Sequence, residues 1–247
     1  MPAGARGHQT HANGCTQRAA QRYASQVSSD IFSTLDEQPI NPRSLDFAED
    51  YAPISDAVRS ARDDAISAGA PTLSTGAASL LTMLAKALAA KAVVEVGTGT
   101  GTSGLALFAG MAEDGVLTSI DTESDWQQTA REAFKSAQIA SQRYRLITGV
   151  ALDVLGNLRD GAYDLVFING DKLEYVEYIA AAQRLLRQGG VVVLNDALWH
   201  NLVADPNDDS DETLIIREAL AVLNGEDAAF TPTLIPLGNG LVVAVKN

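Results

Sequence analysis

The chain has 247 residues, 46% of them hydrophobic, and its 31 acidic residues outnumber its 18 basic residues to give a net charge of -13. This length and composition allow one domain with a sizeable core and exclude a wholly disordered chain. The acidic charge argues against the basic surface that nucleic-acid binding requires, so a small-molecule partner is favoured.

The sequence also limits the compartment. A single cysteine, Cys15, cannot form an intrachain disulfide. No apolar run is long enough to cross a bilayer, and the first 30 residues lack the apolar centre of a signal peptide. We therefore expect a cytoplasmic protein that has no membrane partner.

Three regions follow one another along the chain. Residues 1–28 are rich in small and polar residues without sustained periodicity, which predicts a disordered tail. Residues 29–70 are predicted to form N-terminal helices, interrupted by Pro39 and Pro42. The main domain is predicted at residues 71–247, and its first helix carries apolar residues at helical spacing between Ala77 and Leu88.

From residue 92 onward, strand and helix patterns alternate. The predicted strands are 92–96, 116–120, 144–147, 163–168, 191–195, 231–237 and 241–245. The predicted helices are 102–111, 125–138, 152–158, 173–187 (ending at Gly189-Gly190) and 211–224. The last two strands are joined by Gly238-Asn239-Gly240, which is typical of a hairpin. The pattern predicts an α/β fold with a doubly wound, mostly parallel seven-stranded sheet that ends in an antiparallel hairpin.

A glycine-rich turn follows the first of these strands, Glu95-Val96-Gly97-Thr98-Gly99-Thr100-Gly101. Glycines let a backbone approach a ligand closely, but such a turn also fits nicotinamide-dependent oxidoreductases. Thr102 stands where the dinucleotide pattern requires Gly or Ala, and the Glu95 carboxylate suits a cationic ligand better than a pyrophosphate. Asp121 ends the second strand and could bind a ribose diol or cap the next helix.

With these residues in place, the chain resembles the cation-dependent O-methyltransferases, which include catechol and caffeoyl-CoA O-methyltransferases, and especially their actinobacterial members. The resemblance spans roughly residues 46–247. Besides the glycine turn it rests on Ser119-Ile120-Asp121, Tyr163-Asp164-Leu165-Val166-Phe167-Ile168, Asp171-Lys172, Ala197-Leu198-Trp199 and Pro236-Leu237-Gly238-Asn239-Gly240-Leu241. It implies a Rossmann-like class I methyltransferase.

The resemblance implies S-adenosylmethionine as the cofactor. The residues implied to contact it are Leu73, Glu95, Gly97, Thr98, Gly99, Ser103, Asp121, Ala151 and Asn169. Among them, Glu95 would face the amino-acid part, Asp121 the ribose hydroxyls and Ala151 the adenine. Val150 stands where the family often has a polar residue, so one adenine contact is lost.

The metal site departs from the family, whose members carry an Asp after the fourth strand and an Asp-Asn pair after the fifth. The matching residues here are Asn169, Asn195 and Asp196, so one carboxylate is lost and the pair is inverted. Mg²⁺ prefers charged oxygen ligands. Two interpretations stay open: a weakened site for Mg²⁺ or another divalent cation, and a polar hydrogen-bond network beside the cofactor.

The acceptor side follows from the same resemblance. Lys172 matches the lysine that takes the acceptor's proton, although a surface lysine would fit the pattern too. Trp199 and His200 would line the acceptor site, or else serve as a packing anchor and a loop histidine. The leading hypothesis is an O-methyltransferase acting on a small aromatic hydroxyl compound. The alternative is a cofactor-binding protein of the same fold in which metal-dependent catalysis is weakened or lost. The family commonly forms homodimers.

Overall fold

The structure, a computed structural model, describes residues 40–225 and 228–247. The predicted tail at 1–28 lies outside these residues, as does the 29–39 part of the predicted N-terminal helices. Residues 43–247 form one compact unit, and of the other unit, 1–42, only residues 40–42 are described. Within the described chain, every helix is too short or too polar to span a bilayer.

In the part of the chain that the structure describes, three helices precede the sheet: α1 (Pro42–Asp50), α2 (Asp56–Ser67) and α3 (Thr75–Ala87). Pro42 opens α1, a position where its missing N–H leaves no hydrogen bond unmade. The hydroxyls of Ser55 and Ser74 accept hydrogen bonds from Val58 N and Ala77 N, so α2 and α3 each begin at a side-chain cap.

Seven strands of the described chain form one sheet. They are β1 (Ala92–Val96), β2 (Val116–Asp121), β3 (Tyr144–Thr148), β4 (Tyr163–Ile168), β5 (Leu186–Leu194), β6 (Phe230–Ile235) and β7 (Leu241–Lys246). The order is β3-β2-β1-β4-β5-β7-β6, with β1 to β5 parallel and the β6–β7 hairpin added antiparallel to β5. The predicted fold class is confirmed.

Five helices connect or follow these strands: α4 (Thr102–Gly110), α5 (Ser124–Ser136), α6 (Ala151–Gly156), α7 (Tyr175–Leu185) and α8 (Asp211–Leu223). Each face of the sheet carries its own apolar cluster. One contains buried residues of α3, α4 and α5, including Leu81, Leu107 and Phe134. The other contains residues of α6, α7 and α8, including Tyr175 and Ile179. The strands are therefore covered on both faces, as their continuous apolar runs require.

One predicted boundary is wrong. The helix expected at 173–187 ends at Leu185, and Gly189-Gly190 lie inside β5 rather than beyond a helix. The pairing of β4 with β5 is irregular here, because Leu186 pairs with Tyr163 while Val191 pairs with Leu165. The extra residues form a bulge at the start of the strand, and such a bulge depends on pairing with the neighbouring strand.

Candidate functional site

The turn between β1 and α4 contains two glycines with different surroundings. Gly97 has φ +91°, and a Cβ built there would lie 2.3 Å from the backbone oxygen of Asn169. Gly99 has φ +49°, and a Cβ there would meet no atom within 4 Å. Gly97 is therefore required by close contact with the end of β4, whereas Gly99 borders open space into which a ligand fits.

Glu95 is buried beneath this turn. Its Oε2 accepts a hydrogen bond of 2.5 Å from the Ser119 hydroxyl. Its Oε1 is buried and has no hydrogen-bond partner among the described residues. Burial raises the pKa of Glu95 to about 7, although the hydroxyls of Ser103 and Ser119 oppose part of the shift. A buried acceptor without a donor is costly, so Oε1 is available to a donor on a ligand.

A chain of polar side chains, buried at Ser119, Thr98 and Gln127 and exposed at Thr148, continues from Glu95. Ser119 and Thr98 share a hydrogen bond of 2.6 Å, and Gln127 Nε2 lies 3.3 Å from Thr98 Oγ1. The Thr148 hydroxyl donates to Gln127 Oε1 at 2.9 Å. The chain links the carboxyl ends of β1, β2 and β3 through one side chain of α5.

Sequence reasoning missed Gln127. The buried residues of α5 are Gln127, Ala130 and Phe134. These three residues have helical spacing, so a glutamine in register with Ala130 and Phe134 was the available signal.

Asp121 holds the other side of the turn. Its Oδ2 accepts from Gly99 N at 2.9 Å, and its Oδ1 accepts from Glu123 N at 2.9 Å. The N-cap residue of α5 is Glu123, so Asp121 supports the loop before the helix rather than capping it. Each carboxylate oxygen can still accept a second hydrogen bond. The carboxylate is therefore fixed in place and can also accept from a ribose diol.

Ala151, predicted to lie by the adenine, begins α6 directly after β3 and is buried. Gly149 N donates to the backbone oxygen of Asp121 at 2.9 Å, which brings this loop to the end of β2. Val150 beside it is 49% exposed. Ser103 is buried in the first turn of α4. The predicted cofactor contacts from β1, β2 and β3 therefore converge on one edge of the sheet.

The ends of β4 and β5 carry a second polar cluster. Asn195 Nδ2 donates to Asn169 Oδ1 at 2.8 Å, and Asn195 O accepts from the Tyr175 hydroxyl at 3.0 Å. Lys172 Nζ lies 2.7 Å from Asp196 Oδ2, with the two side chains 14% and 17% exposed. The side chains here thus form two pairs, Asn169 with Asn195 and Asp196 with Lys172.

These donors do not fit Mg²⁺. The two amides are hydrogen-bonded to each other, so Asn195 presents its nitrogen, and Asn169 Oδ1 keeps only one free lone pair. The one carboxylate, Asp196, is neutralised by Lys172. Within the described residues no group of three His, Cys, Asp or Glu side chains could hold a metal ion. A divalent cation prefers several charged oxygens, which this cluster lacks.

The loop after β5 forms the wall of this cluster. Lys172 Nζ lies 5.5 Å from the ring centroids of Trp199 and Tyr175. Trp199 is partly buried and packs against the apolar cluster. His200 is exposed, and its ring lies tilted against that of Trp199 with the ring centroids 5.0 Å apart. Trp199 therefore both anchors the loop and contacts Lys172.

A cavity of about 310 Å³ opens beside the cluster. Its lining includes Arg62, Leu73, Asn195, Asp196 and Asn239. Arg62 Nε donates to Leu73 O at 3.0 Å, which fixes the loop before α3 on one wall. This volume is typical of small-molecule sites. Leu73, predicted near the methionine end of the cofactor, lines this cavity together with Asn195 and Asp196.

Comparison with known proteins agrees with these features. The family model described as "O-methyltransferase" matches residues 56–247. A Mycobacterium tuberculosis protein named "Probable O-methyltransferase" is 46% identical over 187 residues, covering 76% of this chain and 83% of its own length. A crystal structure from Corynebacterium glutamicum has 31% identity and a TM-score of 0.74, covering 81% of this chain and 94% of that one.

The O-methyltransferase TomG of Streptomyces achromogenes, solved in complex with S-adenosylmethionine, has 25% identity and a TM-score of 0.74 over 86% of this chain and 99% of its own. The predicted resemblance is confirmed by the family model and by these relatives together. The chain belongs to the O-methyltransferase family.

Proposed function

We propose that this protein transfers the methyl group of S-adenosylmethionine to a hydroxyl oxygen of a small aromatic acceptor. The observation that carries the proposal is the buried Glu95 carboxylate, whose Oε1 has no partner in the described chain, beneath a turn that opens at Gly99. The cofactor carries an ammonium and a sulfonium, and a cation beside a buried carboxylate stabilises its charged form. The complex of TomG with S-adenosylmethionine supports this choice of cofactor.

The predicted contacts suit the three parts of this cofactor. Glu95 would accept from the ammonium, and Asp121, already fixed by Gly99 N, would accept from the ribose hydroxyls. Ala151 would pack on the adenine, with the exposed Val150 at the rim. The bare backbone at Gly99 would let the nucleoside approach without a side chain in the way.

When bound, the cofactor supplies an electrophilic methyl group on its sulfonium. The protein must then align an acceptor oxygen with that group and remove its proton. Lys172 and Asp196 form the ion pair nearest the predicted acceptor wall, with Trp199 as a flat surface for an aromatic ring. We assign the removal of the proton to this pair, because the lysine named by the resemblance is held by the carboxylate.

Two measurements test the proposal. Isothermal titration with S-adenosylhomocysteine should give saturable heat, and transfer of a labelled methyl group to a panel of phenols should be detected. Cofactor binding without transfer to any acceptor would favour the alternative, a cofactor-binding protein. The presence of Asn169 in place of a metal-site carboxylate is the observation that supports this alternative. Binding of a nicotinamide dinucleotide in place of S-adenosylhomocysteine would refute both readings.

Two further predictions rest on the resemblance. The family commonly forms homodimers, so we infer a homodimer in solution, and light scattering coupled to gel filtration would give the mass directly. A cytoplasmic location likewise stays a prediction, which fractionation of the source cells would test.

A further inference from the structure

We propose that the acceptor side of this site works without a divalent cation, and that it therefore methylates aromatic compounds carrying a single hydroxyl. The inference rests on the proposed methyl transfer. It arises from a disagreement between the donor set at the ends of β4 and β5 and the cation that the family resemblance implies.

The amide pair is the first part of the argument. Asn169 Oδ1 is the atom that would face a metal from the end of β4, and it already accepts from Asn195 Nδ2 at 2.8 Å. Asn195 is held in turn, because its backbone oxygen accepts from the buried Tyr175 hydroxyl. For Asn195 to offer its side-chain oxygen to a cation, its amide would have to turn over and lose this hydrogen bond, which costs free energy.

The charge balance is the second part. Asp196 Oδ2 lies 2.7 Å from Lys172 Nζ, so the single carboxylate of the cluster carries its own counter-ion. A divalent cation binding to Asp196 would lie close to the lysine ammonium and be repelled by it. The lysine cannot simply withdraw, because its side chain is 14% exposed and lies against the rings of Tyr175 and Trp199.

The substrate class follows from the difference between the two kinds of charge. A metal ion has several coordination positions, so it holds most tightly an acceptor that offers two neighbouring oxygens. A lysine ammonium is a compact point charge that can stabilise one oxygen. With Lys172 as the positive charge, a second hydroxyl on the acceptor ring contributes nothing that the site can use.

The reaction balances without a metal. The acceptor hydroxyl gives its proton to Asp196 Oδ1, which accepts no hydrogen bond from the described chain, while the Lys172 ammonium stabilises the resulting oxyanion. That oxygen forms a bond to the methyl carbon as the carbon–sulfur bond breaks. The electron pair of that bond stays on sulfur, which becomes a neutral thioether.

The first experiment uses the purified full-length protein and two acceptors that share one ring system, a monophenol and the matching vicinal diol. We expect the monophenol to be methylated at least as well as the diol, with a rate that changes by less than about twofold when EDTA replaces Mg²⁺, since no cation takes part. Loss of transfer in EDTA that Mg²⁺ restores would overturn the inference, as would transfer to the diol alone.

A second experiment does not depend on turnover. Mg²⁺ is titrated calorimetrically into the wild-type protein saturated with S-adenosylhomocysteine, and we expect no saturable heat at millimolar concentrations. Saturable heat would overturn the inference. The variant Asn169→Asp/Asn195→Asp/Asp196→Asn restores the donor order of the family and should gain Mg²⁺ binding. Gln142→Glu, an exposed site, is the matched control for added charge and should not.

The two proposals fail in different ways. No transfer to either acceptor would overturn the proposed function and the choice of acceptor with it, while the wild-type Mg²⁺ titration would still decide the cation question. If the triple variant does not fold, as circular dichroism would show, the EDTA comparison and the wild-type titration remain decisive.

Discussion

Replacing either of two glycines in the glycine turn by alanine adds one methyl group, and the two variants test stability and cofactor binding separately. At Gly99 the new Cβ meets no atom within 4 Å, so the only cost to the folded state comes from the left-handed backbone at φ +49°. For an alanine that costs about 1–2 kcal/mol, offset by roughly 0.4–1 kcal/mol from the less flexible unfolded chain. Gly99→Ala should therefore fold with a stability loss of about 1 kcal/mol.

The same group at Gly97 meets the protein itself. Its Cβ would lie 2.3 Å from Asn169 O and 2.8 Å from Asn169 C, at φ +91°. Overpacking of this kind costs about 1–3 kcal/mol, and the left-handed backbone adds about 1–2 kcal/mol. Gly97→Ala should therefore lose roughly 2–5 kcal/mol of unfolding free energy.

Cofactor affinity should follow the opposite order among folded proteins. The Gly99→Ala methyl group enters the space assigned to S-adenosylhomocysteine, so affinity should fall tenfold or more, which is about 1.4 kcal/mol or above. Urea unfolding gives the stabilities, and calorimetric titration gives the affinities. If folded Gly99→Ala binds as tightly as wild type, the open side of the turn is not the cofactor site. If Gly97→Ala is as stable as wild type, the contact with Asn169 is wrong.

Three other predictions test the buried polar groups. Burial raises the pKa of Glu95 to about 7 from its ordinary value of 4.5, so the unfolded state loses its proton first as the pH rises. Wild-type stability should therefore fall between these two pH values, by about 3 kcal/mol in all. Glu95→Gln should lack this loss in urea unfolding at pH values on either side, and an unchanged pH dependence would contradict the assignment. Lys172→Met should lower kcat by about 100-fold or more while the Kd for S-adenosylhomocysteine stays constant. The exposed Lys135→Met is the control. An equal loss of kcat in both variants would refute the role of Lys172 in proton removal. Tyr175→Phe leaves the backbone oxygen of Asn195 without its donor and should cost about 1–3 kcal/mol in thermal or urea unfolding, so a neutral result would show that this hydrogen bond is not formed.

The sequence predicted the parts of this fold that depend on local patterns. The apolar run at 92–96 and the Asn-Gly hairpin each predicted the observed element, because neighbouring residues determine whether a segment is buried or turns. The start of β5 at Leu186 was not predicted. Its first residues have a helical pattern, and only pairing with Tyr163 makes them a strand.

The residues of the candidate site also fall into those that the sequence predicted and those that it did not. The glycine turn and Asp121 were visible as motifs, whereas the ion pair of Lys172 with Asp196 was not. The backbone of Asp196 is left-handed at φ +55°, so the direction of its side chain depends on a loop conformation that the motif does not encode. Gln127 was missed for a different reason. Its hydrogen-bond partners, such as Ile147 O on β3, lie outside its own helix.

The cavity lined by Asn195 and Asp196 is assembled from segments that lie far apart in sequence. Ala197 N and Leu198 N donate to the backbone oxygens of Gly240 and Asn239, and Glu49 accepts from Gly238 N, 189 positions away in sequence. Closing loops of that size is slow and entropically costly, so these contacts should form late during folding and open first under mild denaturant. The proposed nucleoside site lies instead at the ends of the neighbouring strands β1, β2 and β3. A partially unfolded molecule should therefore still bind the nucleoside after it has lost its selectivity for the acceptor.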